Sequence, residues 1–259
     1  MCCIEFTKKQ IKTERPAFVM GIVNATKDSF YDKSRGGIEL AVKMIEQGAD
    51  IIDLGAESTR PGFTDVPFEE EIKQLVPIVK EIRKISSIPI SIDTRKSKVF
   101  EACYNEGADI FNDVTALAYD EASCSLASKL EVPVVLMHQG SANAGQVAAF
   151  FKERISFALK NGIHKKNIIL DPGIGFGKNE DECIELIKNT DKMLVEDYPF
   201  LMALSRKRCI GKMTGKDVDK RLYGTLCANM ISVQKGAKII RVHDVEETID
   251  MLNVMKFLS

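Results

Sequence analysis

The chain has 259 residues, of which 45% are hydrophobic and 28% charged, with a formal net charge of −1. This is the composition of a globular protein large enough for a sizeable core, and it gives no electrostatic case for a nucleic acid or an anionic membrane as partner. No apolar run reaches spanning length, and Glu5, Lys8, Lys9 and Lys12 break up the start of the chain, so neither a membrane span nor a secretory signal is expected.

Strand-like and helix-like patterns alternate from end to end. After a lead-in over residues 1–15, an apolar run at Ala17–Val23 reads as the first strand, and helical spacing of Leu40, Ala41, Met44 and Ile45 places a helix over Ile38–Gln47. Ile51–Leu54 is the next strand. Phe68–Ile85 is a long helix with acids in its first turn and bases in its last, as the helix dipole favours. The pattern continues with a strand at Ile88–Ile92, a helix at Ser97–Glu106, a strand at Asp109–Phe111, a helix at Glu121–Leu130, a strand at Val132–Met137 and a helix at Val147–Lys160. Ile168–Leu170 opens a strand and Glu180–Asn189 a helix, followed by Phe200–Leu204, Leu222–Gln234, Lys238–Val242 and Val245–Phe257 as strand, helix, strand and helix. Eight strand–helix units predict an α/β chain folded as one (β/α)8 TIM barrel domain over residues 1–259. Gly48-Ala49, Gly107-Ala108 and Gly236-Ala237 each close a helix and open a strand, and Gly162 does the first half of that work. Glycine suits the left-handed position just past a helix end.

The segment I-I-L-D-P-G-I-G-F-G-K at Ile168–Lys178 is the most distinctive stretch. An apolar strand ends on Asp171, Pro172 stops the ladder, and Gly173, Gly175 and Gly177 leave a loop with little side-chain bulk, which suggests a ligand lying close to the backbone. It is not a Walker loop, because three residues separate Gly173 from Gly177 and Asn179 follows Lys178. It is not a dinucleotide fingerprint either, because Lys178 stands where the last glycine belongs.

A barrel of this kind carries its site at the C-terminal ends of its strands. Those ends present Asn24 and Asp28, then Glu57–Gly62, Asp93-Thr94-Arg95, Asn112-Asp113, His138-Gln139, Asp171, Ser205-Arg206-Lys207 and Arg241–Asp244. Any one of these could be a satisfied loop residue, but all eight ends carry polar groups. Asp93, Asn112 and Asp171 suit a neutral heterocycle with several ring N–H donors. Arg60, Lys207, Arg241 and His243 suit a phosphorylated group. Asn24 offers one oxygen to a phosphate-bound Mg2+, an ion that takes few protein ligands. No Cys–His or Ser–His pairing suggests covalent catalysis.

Seven cysteines, at 2, 3, 103, 124, 183, 209 and 227, include no C-x-x-C. They predict free thiols in a reducing, cytoplasmic compartment. With three histidines, a zinc site is not expected, and the charged neighbourhood of Cys2-Cys3 argues against acylation.

M-G-I-V-N-A-T-K-D-S-F, G-A-D-I-I-D-L-G-A-E-S-T-R-P-G, S-I-D-T, D-P-G-I-G-F-G-K, S-R-K and R-V-H-D follow one another from about Met20 to Lys256. In this order they resemble the successive signatures of the dihydropteroate synthase family. The resemblance implies a (β/α)8 barrel that joins 7,8-dihydro-6-hydroxymethylpterin diphosphate to 4-aminobenzoate in folate biosynthesis, releasing diphosphate by a dissociative displacement. It implies that Asp93, Asn112, Asp171 and Lys207 hold the pterin, that Asn24 binds Mg2+, and that Thr59, Arg60, Arg241 and His243 hold the diphosphate. Ser205, Lys207, Phe176, Phe30 and Pro61 help to form the aminobenzoate site, and Lys207, Asp93 and Arg60 carry the catalytic step. It also implies a homodimer; a stripe of Leu226, Met230, Val233, Ile249, Leu252 and Met255 on the last two helices is more often core than interface, with some interface use of that side expected only from the family's usual dimer. The chain departs from the family at Lys27, where a proline is usual, at Tyr31-Asp32-Lys33, at Ala56 and in a short segment after His138. These changes bear on the mobile loops rather than on the pterin pocket.

Two other readings compete. A methyltetrahydrofolate–corrinoid methyltransferase uses a similar pterin pocket, but it handles no diphosphate and has no reason to keep S-T-R-P-G, S-R-K and R-V-H-D together. A non-catalytic pterin-binding barrel predicts the loss of Lys207 or Arg60, and both are present.

Overall fold

The computed structural model describes residues 1–25, 33–56 and 66–258, with the side chains of 33–35 left aside. Eight parallel strands form the sheet: β3 (Phe18–Asn24), β4 (Ile51–Gly55), β5 (Ile90–Asp93), β6 (Ile110–Asp113), β7 (Val134–Met137), β8 (Ile168–Asp171), β9 (Leu201–Met202) and β10 (Ile239–Val242). Their order is β8-β7-β6-β5-β4-β3-β10-β9. A parallel bridge between Leu170 and Phe200, with Leu170 N–H donating to the Pro199 carbonyl at 2.9 Å, joins the two ends of that row. The sheet is therefore a closed barrel, as the alternating pattern predicts.

The two-residue period of a strand decides what faces inward. Val19, Ile52, Leu54, Ile90, Ile92, Phe111, Leu170 and Ile240 point outward and pack in the large core under the helices. Phe18, Met20, Ile51, Ile110, Val135, Ile169, Leu201 and Ile239 point inward and fill the lower barrel. Two residues further along the same strands, and on the same inward face, stand Asp53, Asn112, Asp171 and Arg241. The interior thus changes from apolar to polar over one step of the pleat.

Residues 1–15, read from sequence as a lead-in, contain an antiparallel hairpin of β1 (Cys2–Glu5) and β2 (Gln10–Thr13). Cys2, Ile4, Phe6 and Ile11 share one cluster with the inward residues of the lower barrel, so the hairpin plugs the end opposite the polar layer. Thr7 N–H donates to Asn167 Oδ1 at 2.9 Å and Lys8 Nζ to the Leu130 carbonyl at 2.7 Å, which fasten the plug to the loops below the strands.

The helices are α1 (Lys33–Glu46), α2 (Phe68–Ile85), α3 (Ser97–Asn105), α4 (Glu121–Leu130), α5 (Ala144–Lys160), α6 (Glu180–Lys188), α7 (Thr190–Met193), α8 (Arg208–Thr214), α9 (Leu222–Gln234) and α10 (Val245–Leu258). α5 begins three residues earlier than its apolar spacing indicates, because Asn143 and Gln146 form a capping box. α7 and α8 were not expected; at four and seven residues they are too short to show a helical period. The joint glycines behave as read: Gly48, Gly107, Gly162 and Gly236 have φ of 93°, 107°, 85° and 106°. All seven cysteines are free thiols. No helix among the described residues is long and apolar enough to cross a membrane.

Candidate active site

The polar layer at the barrel mouth is one connected group. Arg241 reaches from β10 across the interior, its Nε donating to Asp53 Oδ2 at 2.6 Å and its Nη2 to Asp93 Oδ2 at 2.7 Å. Asn112 Nδ2 donates to the two oxygens of Asp53 at 3.2 and 3.3 Å. The register sets Asp93 beside Gly55 on one side and Asn112 on the other, and Asp171 beside Met137. A Cβ at Gly55 would sit in ordinary contact with the Asp93 side chain, 3.5 Å from its Cβ.

Two acceptors in this group are left open. Asp93 Oδ1 is buried and has no hydrogen-bond partner among the described residues. Asn112 gives its N–H to Asp53, and its Oδ1 accepts nothing from the described residues. A buried carboxylate oxygen without a donor is costly, so such an atom marks a place where a ligand's N–H belongs. Burial pushes the Asp93 carboxyl up to about 7, with Arg241 opposing the rise and Asp53, Asp171 and Asp113 adding to it. Burial also raises Asp171, against the pull of Lys207 and of the Gly173 N–H, which donates to its Oδ1 at 2.7 Å. Burial pulls on the Arg241 guanidinium too, but Asp53 and Asp93 outweigh it and hold the charge firmly.

Lys207 stands at the start of α8, where the chain turns from an extended residue into the helix. Its Nζ donates to the Ile174 carbonyl and lies 5.0 Å from the centre of the Phe176 ring. Burial lowers the ammonium to about 8, Asp171 resisting and Arg241 reinforcing the shift. Ser205, on the same turn, bonds His243 twice: its Oγ accepts the His243 N–H at 3.2 Å and lies 2.9 Å from Nδ1. His243 is exposed at the rim. Arg206, between Ser205 and Lys207, points away and pairs with Asp244, Nε to Oδ2 at 3.0 Å.

The glycines after β8 have a different cause from the one their sequence suggests. All three have positive φ. A Cβ on Gly173 would lie 1.9 Å from the His138 carbonyl oxygen, and one on Gly177 would lie 2.8 Å from Gly140 Cα. At these two positions the close neighbour is the loop after β7, not a ligand. Lys178 binds the two loops together. Buried, it donates to the carbonyls of His138, Gly173 and Phe176 at 3.2, 3.1 and 3.4 Å, and its Nζ lies 3.0 Å from His138 Nδ1. Burial and the Lys178 charge hold the His138 imidazole down at about 4, neutral at physiological pH.

The structure therefore brings together Asp93, Asn112, Asp171, Lys207 and Arg241, with Phe176 and the Ser205–His243 pair along one side. Asn24 ends β3 at the same mouth and is exposed. Thr59, Arg60 and Pro61, and also Asp28 and Phe30, lie outside the described residues. Sequence reasoning passed over Asp53 and Lys178. Asp53 sat inside a run read as an apolar strand, and its signal was parity: an acid two residues after an inward isoleucine. Lys178 was read only as the end of the glycine-rich segment, and nothing in its neighbours announced that it was buried.

Comparison with known proteins shows the family. The family described as pterin binding enzyme matches residues 20–243, most of the chain. The chain belongs to the pterin-binding enzymes. Among relatives of this family, dihydropteroate synthase of Clostridium beijerinckii is 40% identical over 250 residues, covering 92% of this chain and 93% of its own. That of Haemophilus influenzae is 41% identical over 253 residues, covering 91% and 92%. The Xanthomonas albilineans dihydropteroate synthase with 4-aminobenzoic acid superimposes with a TM-score of 0.93 at 36% identity, over 99% of this chain and 97% of that one. The same enzyme in complex with 7,8-dihydropteroate gives 0.89 at 33% identity, over 99% and 98%.

Proposed function

We propose that this pterin-binding enzyme is a dihydropteroate synthase, one barrel domain over residues 1–259 that condenses 7,8-dihydro-6-hydroxymethylpterin diphosphate with 4-aminobenzoate in folate biosynthesis. The observation that carries the reading is the buried, partnerless Asp93 Oδ1 in a layer that also holds Asn112 and Asp171. These acceptors match the N–H edge of a pterin. Lys207, Arg241 and His243, with Thr59 and Arg60 from the loop after β4, supply the donors and positive charge for the substrate's other groups. Phe176 and Ser205, with Phe30 and Pro61, form the aminobenzoate side.

The chemistry follows from the charges. The bond from the exocyclic methylene to oxygen breaks and diphosphate leaves with the electron pair. The cation left behind spreads over the ring, beside the Asp93 and Asp171 carboxylates, which stabilise it. The aniline nitrogen then forms the new C–N bond and gives up a proton to solvent. Asn24 fits a Mg2+ ion: it is exposed at the mouth, and its amide has no partner among the described residues, so it provides one neutral oxygen to an ion that takes the rest from phosphate and water. Held there, Mg2+ would supply positive charge against the diphosphate.

A homodimer is supported by a groove between α9 and α10 lined by Leu226, Cys227, Met230, Met251 and Val254, with Tyr223 and Phe257 exposed nearby. Val233 and Leu252 of that stripe are core residues, the commoner role for such a stripe. A sedimentation mass of twice the monomer supports the dimer, and the monomer mass alone contradicts it. Free thiols throughout support a reducing, cytoplasmic setting. The reaction is tested by mixing protein, Mg2+, the dihydropterin diphosphate and 4-aminobenzoate. Dihydropteroate and diphosphate in equal amounts, only with Mg2+ present, are expected; folded protein that forms no dihydropteroate refutes the reading.

A further inference from the structure

Asp53 touches no open space. Its side chain is fully buried, and its oxygens are engaged by Asn112 Nδ2 and Arg241 Nε. Each contact settles an orientation. An asparagine side chain can present either its carbonyl or its NH2 group to a ligand, and the two are related by a half-turn. With Nδ2 held by Asp53, Asn112 can present only Oδ1. A guanidinium is a rigid fork. With Nε on Asp53 Oδ2, Nη2 is aimed at Asp93 Oδ2, and this leaves Asp93 Oδ1 as the open acceptor.

We propose that Asp53 is the positioning residue of the pterin pocket: one buried carboxylate makes both Asn112 and Asp93 present acceptors, and so selects a ring edge made of N–H donors. This rests on the pterin reading above. It adds a residue that does not touch the ligand and gives it a role in specificity. Charge-assisted hydrogen bonds are strong and directional, so replacing Asp53 should be felt at the ligand even though the backbone need not move. In Asp53→Asn the residue is neutral and can itself donate. Asn112 is then free to turn and present its NH2 group against a ring that offers N–H.

The test is calorimetric titration of 6-hydroxymethyl-7,8-dihydropterin into four proteins: wild type, Asp53→Asn, Asn112→Asp, and the double variant that exchanges the two groups. Both single variants should bind about tenfold to a hundredfold more weakly, the size carried by one hydrogen bond to a charged group. Asn112→Asp fails because it sets two carboxylates against each other. The exchanged pair restores a donor at 53 facing an acceptor at 112, and should regain most of the affinity. A merely structural loss would add across the two substitutions and would lower the melting temperature in step. Recovery in the exchanged pair supports the proposal, whereas additive loss, or a Asp53→Asn variant that binds like wild type, overturns it. If wild type itself binds no dihydropterin, the pterin reading fails and not this inference alone. Should Asp53→Asn not fold, a wild-type crystal structure with the dihydropterin decides. Asn112 with its amide turned away from Asp53, or a ring acceptor facing Asp93 Oδ1, overturns the proposal; Asn112 Nδ2 still on Asp53, with Oδ1 on a ring N–H, supports it.

Discussion

In the proposed reaction Asp93 and Lys207 are the two titrating groups that matter, and burial moves them toward each other. The Asp93 carboxyl rises to about 7 and the Lys207 ammonium falls to about 8. Both are needed charged, one to accept ring N–H groups and steady the cation, the other to donate. Below about 7 Asp93 takes up a proton, and above about 8 Lys207 gives one up. The profile of kcat/KM against pH for the free enzyme should therefore be a narrow bell with limbs near those values. Lys207→Met should cost about 100- to 1,000-fold in kcat, the size seen when one donor to a developing charge is removed, and should abolish the alkaline limb while the melting curve stays cooperative. An unchanged alkaline limb in Lys207→Met would assign that proton to another group. At this scale the sequence told most where it placed polar residues at strand ends, and least where a residue's meaning depends on parity. Asp171 was legible because Pro172 stops the strand after it. Asp53 was not, because an acid within an apolar run reveals its importance only once the inward face of β4 is known.

Among the elements, the turn after β8 shows how backbone constraint becomes a pocket wall. Gly173 must be glycine because the His138 carbonyl occupies the space of its Cβ, and Lys178 ties the two loops together by donating to that His138 carbonyl and to Gly173 and Phe176 of its own loop. Phe176, whose ring faces Lys207, is held by the same lysine. Lys178→Met removes these bonds without adding bulk, and should raise KM for 4-aminobenzoate about tenfold or more through misplacement of Phe176, while KM for the pterin substrate changes little. Steady-state kinetics with each substrate varied in turn reads this directly, and equal movement of both constants would place the effect elsewhere. The sequence disclosed the glycines and their unusual density, but not their reason, which lies on a loop thirty-odd residues earlier in the chain. It disclosed the long helices through their apolar spacing, whereas α7 and α8 are too short to have a period and follow from tertiary packing.

Over the whole molecule, the barrel interior changes along its axis: an apolar lower part closed by the N-terminal hairpin, and a polar upper layer where the pterin is proposed to sit. The eight-fold alternation of patterns made the barrel legible, and positive-φ glycines stand at four of the joints where a helix hands over to a strand, Gly48, Gly107, Gly162 and Gly236. The hairpin escaped notice because its strands are four residues each and their apolar side chains point into a cavity that exists only after the barrel closes. Phe6 is nearly fully buried there, so Phe6→Ala should cost about 3–5 kcal/mol and lower the melting temperature by roughly 10 °C, with kcat/KM unchanged at temperatures where the protein stays folded. A variant as stable as wild type would show that the plug contributes little. The account as a whole depends on that upper layer being where the pterin sits. A crystal structure of this protein with 7,8-dihydropteroate tests it most directly: the ring is predicted to lie on Asp93 Oδ1, Asn112 Oδ1 and Asp171 with Lys207 in contact, and a ring bound anywhere else, with Asp93 Oδ1 still without a donor, would contradict it.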